Sequence, residues 1–200
     1  MTKNLLIIFS RNPELGKVKT RLASKIGDSS ALEIYKILVQ HTFSITRNLS
    51  QAKQVHYSVK VRNNDIWDEE LYDKKQQIGS DLGMRMNYAF QQGFDDGFTN
   101  IVIIGSDIYE LTERDIENAF SALKKHTFVV GPAEDGGYYL IGMKKMNSNI
   151  FQNKKWGSDT VLKDTLKDLK NESFHLLSVR NDIDYYEDIK GIEIFQQYIV

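Results

Sequence analysis

The 200-residue chain has no cysteine. That excludes disulfides, thiolate zinc sites and cysteine nucleophiles. It has only two prolines, Pro13 and Pro132, and both are expected in loops. Neither sign of charge is in excess: 26 Lys and Arg against 27 Asp and Glu leave a net charge of −1. No global field therefore draws the chain to nucleic acid or to an anionic membrane, and any anion site must come from a local cluster. Long hydrophobic runs are missing too. The longest, Leu5 to Phe9 and Ile101 to Ile104, are strand-sized, so no membrane span is expected. With the first strand starting at Leu5 there is no room for a secretion signal, and a cytoplasmic location is expected. P-loop, GxGxxG, HExxH and GxSxG motifs are absent, and the four histidines are scattered at non-metal spacings.

What is present is an alternation of strand and helix patterns. Leu5 to Phe9 and Ile101 to Ile104 are continuous apolar runs, as in parallel strands buried on both faces. Phe128 to Val130, Tyr138 to Met143 and His175 to Val179 predict further strands, and Val55, Tyr57, Val59 and Val61 alternate like a strand with one wetter face. Ala31, Ile34, Tyr35, Leu38, Thr42, Ile45 and Leu49 repeat at threes and fours, predicting a helix capped by Ser29 or Ser30. Helices are also expected after Asp81, from Ser158 or Asp159, and over Asp188 to Tyr198. Thr112 with Asp115 predicts a capping box. Asn63 to Ser80 fits neither pattern. The expectation is one domain over residues 1–200, a three-layer α/β/α sandwich with a mostly parallel, Rossmann-like sheet.

In such sheets ligands bind beyond the carboxyl ends of the strands. Ser10 to Gly27, after the first strand, is expected to be a loop. Arg11, Lys17, Lys19 and Arg21 there face only one acid, Glu14, and Gly16 lets the backbone approach a ligand. Guanidinium and ammonium groups so clustered suit phosphate; a solvated basic loop is the competing reading. Asp107 ends the second buried strand. It suits Mg²⁺ (or Mn²⁺) shared with phosphate oxygens, or else it caps a turn. Asp182 and Asp184 share one side of an extended segment and complete that metal site, or form a polar turn. Asp135, Gly136 and Gly137 make either a ligand-facing loop with a candidate base or a tight turn. Trp156 is a core residue or a stacking surface.

The blocks FSRNPELGKVKTRL (Phe9 to Leu22), GSDLGMRM (Gly79 to Met86), IGSD (Ile104 to Asp107), GPAEDGGYYLIG (Gly131 to Gly142) and DIDYYED (Asp182 to Asp188) occur in order across nearly the whole chain. Together they resemble a bacterial family labelled glycosyltransferase. It lies within the nucleotide-diphospho-sugar transferase superfamily of GT-A-like fold, and is more distantly similar to MobA-like and 2-phospho-lactate guanylyltransferases. The resemblance implies that Arg11, Gly16, Lys17, Lys19 and Arg21 line a nucleotide-phosphate site. It implies a divalent ion on Asp107, Asp182 and Asp184, and an acceptor beside Asp135, Gly136, Gly137 and Tyr138. Relatives usually follow Gly-Ser-Asp with Cys-Pro, where this chain has Ile108-Tyr109. After Trp156 the usual serine is Gly157.

The expected function is a Mg²⁺-dependent transferase taking a nucleotide or nucleotide-sugar and a small-molecule acceptor, with Lys17, Arg21 and Asp135 as catalytic groups. Glycosyl transfer follows the family label. Nucleotidyl transfer follows from the basic loop and from the missing DxD motif, since residue 105 is Gly. A nucleotide-binding module without turnover is the third alternative, motivated by Ile108-Tyr109.

Overall fold

The computed structural model describes residues 3–199. Its centre is a seven-stranded sheet in the order β3-β2-β1-β4-β6-β5-β7. The strands are β1 (Asn4–Ser10), β2 (Ala52–Tyr57), β3 (Asp73–Gln76), β4 (Asn100–Gly105), β5 (Phe128–Pro132), β6 (Tyr138–Met143) and β7 (Phe174–Leu176). All neighbours are parallel except β6, which runs antiparallel to both β4 and β5. The helices are α1 (Thr20–Ile26), α2 (Asp28–Thr46), α3 (Leu82–Asp95), α4 (Glu113–Lys125), α5 (Val161–Asp168) and α6 (Tyr186–Ile189), with 3-10 turns at Ser148–Phe151 and Glu193–Tyr198.

The three-layer expectation holds because alternate residues of the central strands serve opposite faces. Leu6, Ile8, Val102 and Ile104 pack under α2 and α4 with Tyr35, Ile116 and Phe120. Leu5, Ile7, Ile101 and Ile103 pack under α3 with Met86 and Phe90, and also meet Ile150, Phe151 and Leu169. A third cluster joins Leu22, Ile34, Leu38, Ile183, Ile189 and Phe195, tying α1 and α2 to the last part of the chain. After β1 the order runs outward through β2 and β3, then jumps back to β4. The reversal between β1 and β4 is a topological switch point, where the turns part and leave a crevice.

Several boundaries differ from the expectations. The segment Ser10 to Gly27 is not all loop, because Thr20–Ile26 forms α1 around buried Leu22. α2 is preceded by Gly27 at φ 83 without a side-chain cap, so Ser29 and Ser30 lie within its first turn. β2 stops at Tyr57, and Val59 and Val61 are exposed in the following loop. β7 covers only Phe174–Leu176, and α5 starts after Thr160 rather than at Ser158 or Asp159. The expected last helix is split into α6 and a 3-10 turn. The Thr112–Asp115 capping box forms as expected, since it depends only on neighbours in sequence.

Candidate active site

A cleft of about 740 Å³ opens above the switch point. Its wall includes Arg11, Lys17 and Lys19 from the turn after β1, Arg21 from the first turn of α1, Asp107 from the turn after β4, and Asp182 and Asp184 from the late segment. Asp135, Gly137, Tyr138 and Trp156 border the same cleft. Groups 165 positions apart thus meet, and the reason is local at each end.

The turn after β1 is held from below. Tyr35, buried on α2, accepts from the Arg11 N–H at 2.8 Å and donates to the Arg11 carbonyl at 3.0 Å. The Ser10 and Ser106 hydroxyls stand 3.3 and 3.2 Å from the same phenol, which couples the turns after β1 and β4. Burial pushes the Tyr35 phenol up, so it stays a neutral hydrogen-bonding group. Asn12, also buried, donates to the Lys60 carbonyl at 2.8 Å and accepts from the Val59 N–H at 3.0 Å. Gly16 turns at φ 70, a backbone region that favours glycine. Lys19 itself sits at φ 47, immediately before α1.

At the other end, Ile183 anchors the acids. Its side chain is buried in the third cluster, and its N–H donates to the Asp107 carbonyl at 3.1 Å. Asp182 and Asp184, its neighbours, therefore project into the cleft beside Asp107. Asp188 shapes the turn by accepting from the Asp184 N–H at 2.9 Å and from the Asn181 amide at 3.0 Å. One oxygen from each of Asp107, Asp182 and Asp184 lies within 4.8 Å of the other two.

Lys19 sits among these acids. Its Nζ is 3.0 Å from Asp107 Oδ2 and 2.9 Å from Asp184 Oδ1, with only 4% of the side chain exposed. Arg21 meets Asp184 Oδ2 at 3.2 Å and lies 5.4 Å from the Tyr185 ring centroid. Burial works to lower the Lys19 ammonium, but Asp107 and Asp184 outweigh it and raise the group above its usual value. Burial likewise works against the Asp107 charge, yet Lys19 and then Arg11 hold its carboxyl below the usual range. Asp182 is pushed up to about 7 by burial and by the charges of Asp107, Asp184 and Asp135.

The basic residues thus divide into two groups. Lys19 and Arg21 are engaged by acids; Arg11 and Lys17 line the cleft without an ion pair among the described residues. Gly136 has a packing reason to be glycine. A Cβ there would stand 2.2 Å from the Asp159 carbonyl oxygen, so the glycine lets the loop pack on the entrance to α5. Asp135 accepts from the Gly137 N–H at 2.8 Å and remains exposed at the cleft rim. Trp156 combines both expected roles, lining the cleft while packing on Gly83 and, edge-on, on Tyr138. Ile108 is almost fully buried at the cleft wall, and the Tyr109 ring packs against His41 and Phe195. No histidine lines the cleft.

Sequence reasoning missed Tyr35, Asn12, Arg85 and Asp188. Tyr35 was visible only as a core position of α2; a buried tyrosine's need for a partner was the available signal. Arg85 lies within the GSDLGMRM block. It lines the cleft and donates to the Gly79 carbonyl at 3.0 Å and to Gln77 Oε1 at 3.2 Å, with no acid as partner among the described residues.

Residues 42–158, more than half of the chain, match the family model described as uncharacterized protein conserved in bacteria (DUF2064). The chain belongs to the DUF2064 family. The family's matched span contains Asp107 and Asp135 but neither the basic turn nor Asp182 and Asp184. Among solved structures, this DUF2064 member is similar to a protein of Desulfovibrio desulfuricans G20 provisionally named a nucleotide-diphospho-sugar transferase. The TM-score is 0.84, with 29% identity over 98% of this chain and 91% of that one. A cytidylyltransferase from Leptospira borgpetersenii serovar Hardjo-bovis (strain JB197) aligns with a TM-score of 0.59 and 14% identity, over 100% and 89% of the two chains. 4-Diphosphocytidyl-2C-methyl-D-erythritol synthase from Anaerococcus prevotii DSM 20548 aligns with a TM-score of 0.60 and 10% identity, over 98% and 96%. The last two share the fold. No curated protein matches the chain. The fold is that of the nucleotide-diphospho-sugar transferases. Among the described residues no helix is long and apolar enough to cross a membrane.

Proposed function

We propose that the chain is a metal-dependent transferase whose donor is a nucleotide carrying two or more phosphates. One observation carries the reading: the basic turn after β1 and three carboxylates from two other parts of the chain line one cleft at the switch point. Positive groups alone would describe a general anion site, and acids alone a polar turn. Both together suit a polyphosphate shared between cationic side chains and a hard cation. The all-oxygen donor set fits Mg²⁺ or Mn²⁺, and the seat that Asp107 and Asp184 give to the Lys19 ammonium supports a cation-binding role.

The residues then divide the work. Arg11 and Lys17, free in the cleft, hold the phosphates. Asp107, Asp182 and Asp184 would hold the ion, which supplies charge to offset that on the departing phosphate. Arg21 adds charge beside them. Asp135, at the rim of the same cleft, borders the acceptor and is the candidate base. Tyr138 and Trp156 offer that acceptor an aromatic wall. With a nucleotide-sugar donor, the acceptor attacks the anomeric carbon and a nucleoside diphosphate leaves, as the family label suggests. Nucleotidyl transfer, with attack at the α-phosphorus and loss of pyrophosphate, is favoured by Gly105, which leaves no DxD pair at the end of β4.

Product analysis tests the proposal. The protein is incubated with Mg²⁺, a panel of nucleoside triphosphates or nucleotide-sugars, and small acceptors. Nucleoside diphosphate identifies glycosyl transfer and pyrophosphate identifies nucleotidyl transfer. Tight binding without either product points to a binding module. Lys17→Ala is expected to weaken nucleotide binding about tenfold, a charge-assisted contact's worth, in a titration calorimeter. Unchanged affinity removes the basic turn from the site.

A further inference from the structure

We propose that the Lys19 ammonium is a resident counter-ion for the acidic cluster and must leave before a divalent cation can enter. The inference rests on the metal-dependent reading above and adds a step to it.

The geometry is specific. Lys19 Nζ bonds Asp107 Oδ2 and Asp184 Oδ1 at 3.0 and 2.9 Å, using one oxygen from each of two carboxylates of the cluster. A magnesium ion needs its oxygens at about 2.0–2.1 Å, and to take these two it must occupy nearly the point where Nζ now lies. Both centres are positive, so they exclude each other by volume and by charge. The charge balance points the same way. Asp107 and Asp184 already face Lys19 and Arg21, so a divalent cation entering the nucleotide-free protein meets two of its three acids already paired.

Lys19 also has somewhere to go. Its unbranched stem rises from the residue before α1, on the wall of the cleft that carries Arg11 and Lys17. Bound phosphates place fresh negative charge beside it. The ammonium then exchanges carboxylates for phosphate oxygens, and the vacated carboxylates accept the ion. Nucleotide and metal therefore strengthen each other's binding, and linkage makes the effect reciprocal. The same reasoning separates Lys19 from Lys17: Lys17 binds phosphate only, whereas Lys19 also controls access to the acids.

The test uses Mn²⁺ alone, with free ion counted by electron paramagnetic resonance in nucleotide-free protein. Lys19→Met, which keeps the stem and drops the charge, is expected to bind Mn²⁺ about tenfold or more tightly than the native chain. Lys19→Arg should stay near native affinity. Equal or weaker binding by Lys19→Met overturns the role of Lys19 while leaving the metal site standing. Absence of Mn²⁺ binding in every form, including Lys19→Met, overturns the metal-dependent reading and this inference with it. A second measurement needs no variant. Amine labelling followed by mass spectrometry should find Lys19 protected in the free protein and several-fold more reactive once Mn²⁺ is bound, with Lys17 as the internal reference. Bound Mn²⁺ with unchanged Lys19 labelling overturns the exchange.

Discussion

At the scale of single residues, this site depends on small groups placed where larger ones cannot go. Gly136 combines a positive φ of 86 with a backbone carbonyl 2.2 Å from where a Cβ would stand. Gly97 has nearly the same φ, 84, with nothing within 4 Å. Gly97→Ala is expected to cost about 1–2 kcal/mol, the conformational penalty alone. Gly136→Ala should cost roughly 3 kcal/mol or more, because the loop must also leave Asp159. Urea unfolding of the two variants checks the difference, and equal losses would mean that the contact with α5 is easily given up. The basic turn and Asp107 were legible as cleft-lining residues because each follows a run of buried apolar residues. Asp184 was legible as a companion of Asp107, but its ion pairs with Lys19 and Arg21 were not, because they depend on the burial of Ile183 far along the chain.

At the scale of elements, legibility followed burial. β1 and β4 could be read because both faces are covered, leaving no room for polar residues. β3, with the sequence DKKQ, is an edge strand defined by pairing with β2 and has no apolar signature. α1 has one buried residue and no side-chain cap, so nothing in its sequence marks its start. The antiparallel direction of β6 was equally hidden, since a strand buried on both faces reads the same either way. β2 also carries a pH dependence. His56 is buried and its pKa is lowered from 6.5 to about 4, first by burial and then by Lys75. The unfolded chain takes up a proton near pH 6.5 while the folded one resists until about 4. The stabilisation is therefore whole above pH 6.5, declines as pH falls through that window, and is gone below it. Its size is on the order of 3 kcal/mol. Urea midpoints measured between about pH 7.5 and pH 4.5 should fall more steeply for the native chain than for His56→Gln, a comparison anchored in the ordinary histidine value.

At the scale of the whole molecule, the cleft joins parts that the sheet holds separately: a turn after β1, a turn after β4 and a late segment pinned by its own hydrophobic cluster. A ligand touching all three stabilises the fold as a unit. At about a hundred times its dissociation constant a correct nucleotide with Mg²⁺ should add about 2.7 kcal/mol. For a chain of this size that raises Tm by roughly 5–10 °C. Asp107→Asn should abolish the Mg²⁺-dependent part of the rise, measured from its own ligand-free Tm, which falls because the buried Lys19 ammonium loses one of its two carboxylates. A thermal-shift screen across nucleotides checks both, and a panel in which nothing moves Tm would count against the donor class.

Ile183, wedged between two acids and buried beneath α2, also sets when the cleft becomes complete. A ribosome delivers the basic turn early and the β4 carboxylate midway, but Asp182 and Asp184 emerge only after the sheet's last strand. A nascent chain therefore carries Lys19 and Arg21 through most of its synthesis before Asp184, which pairs with both, is made. The charge cluster is complete only once the late segment is made, and a chain stopped before residue 182 carries only one of the cluster's three carboxylates.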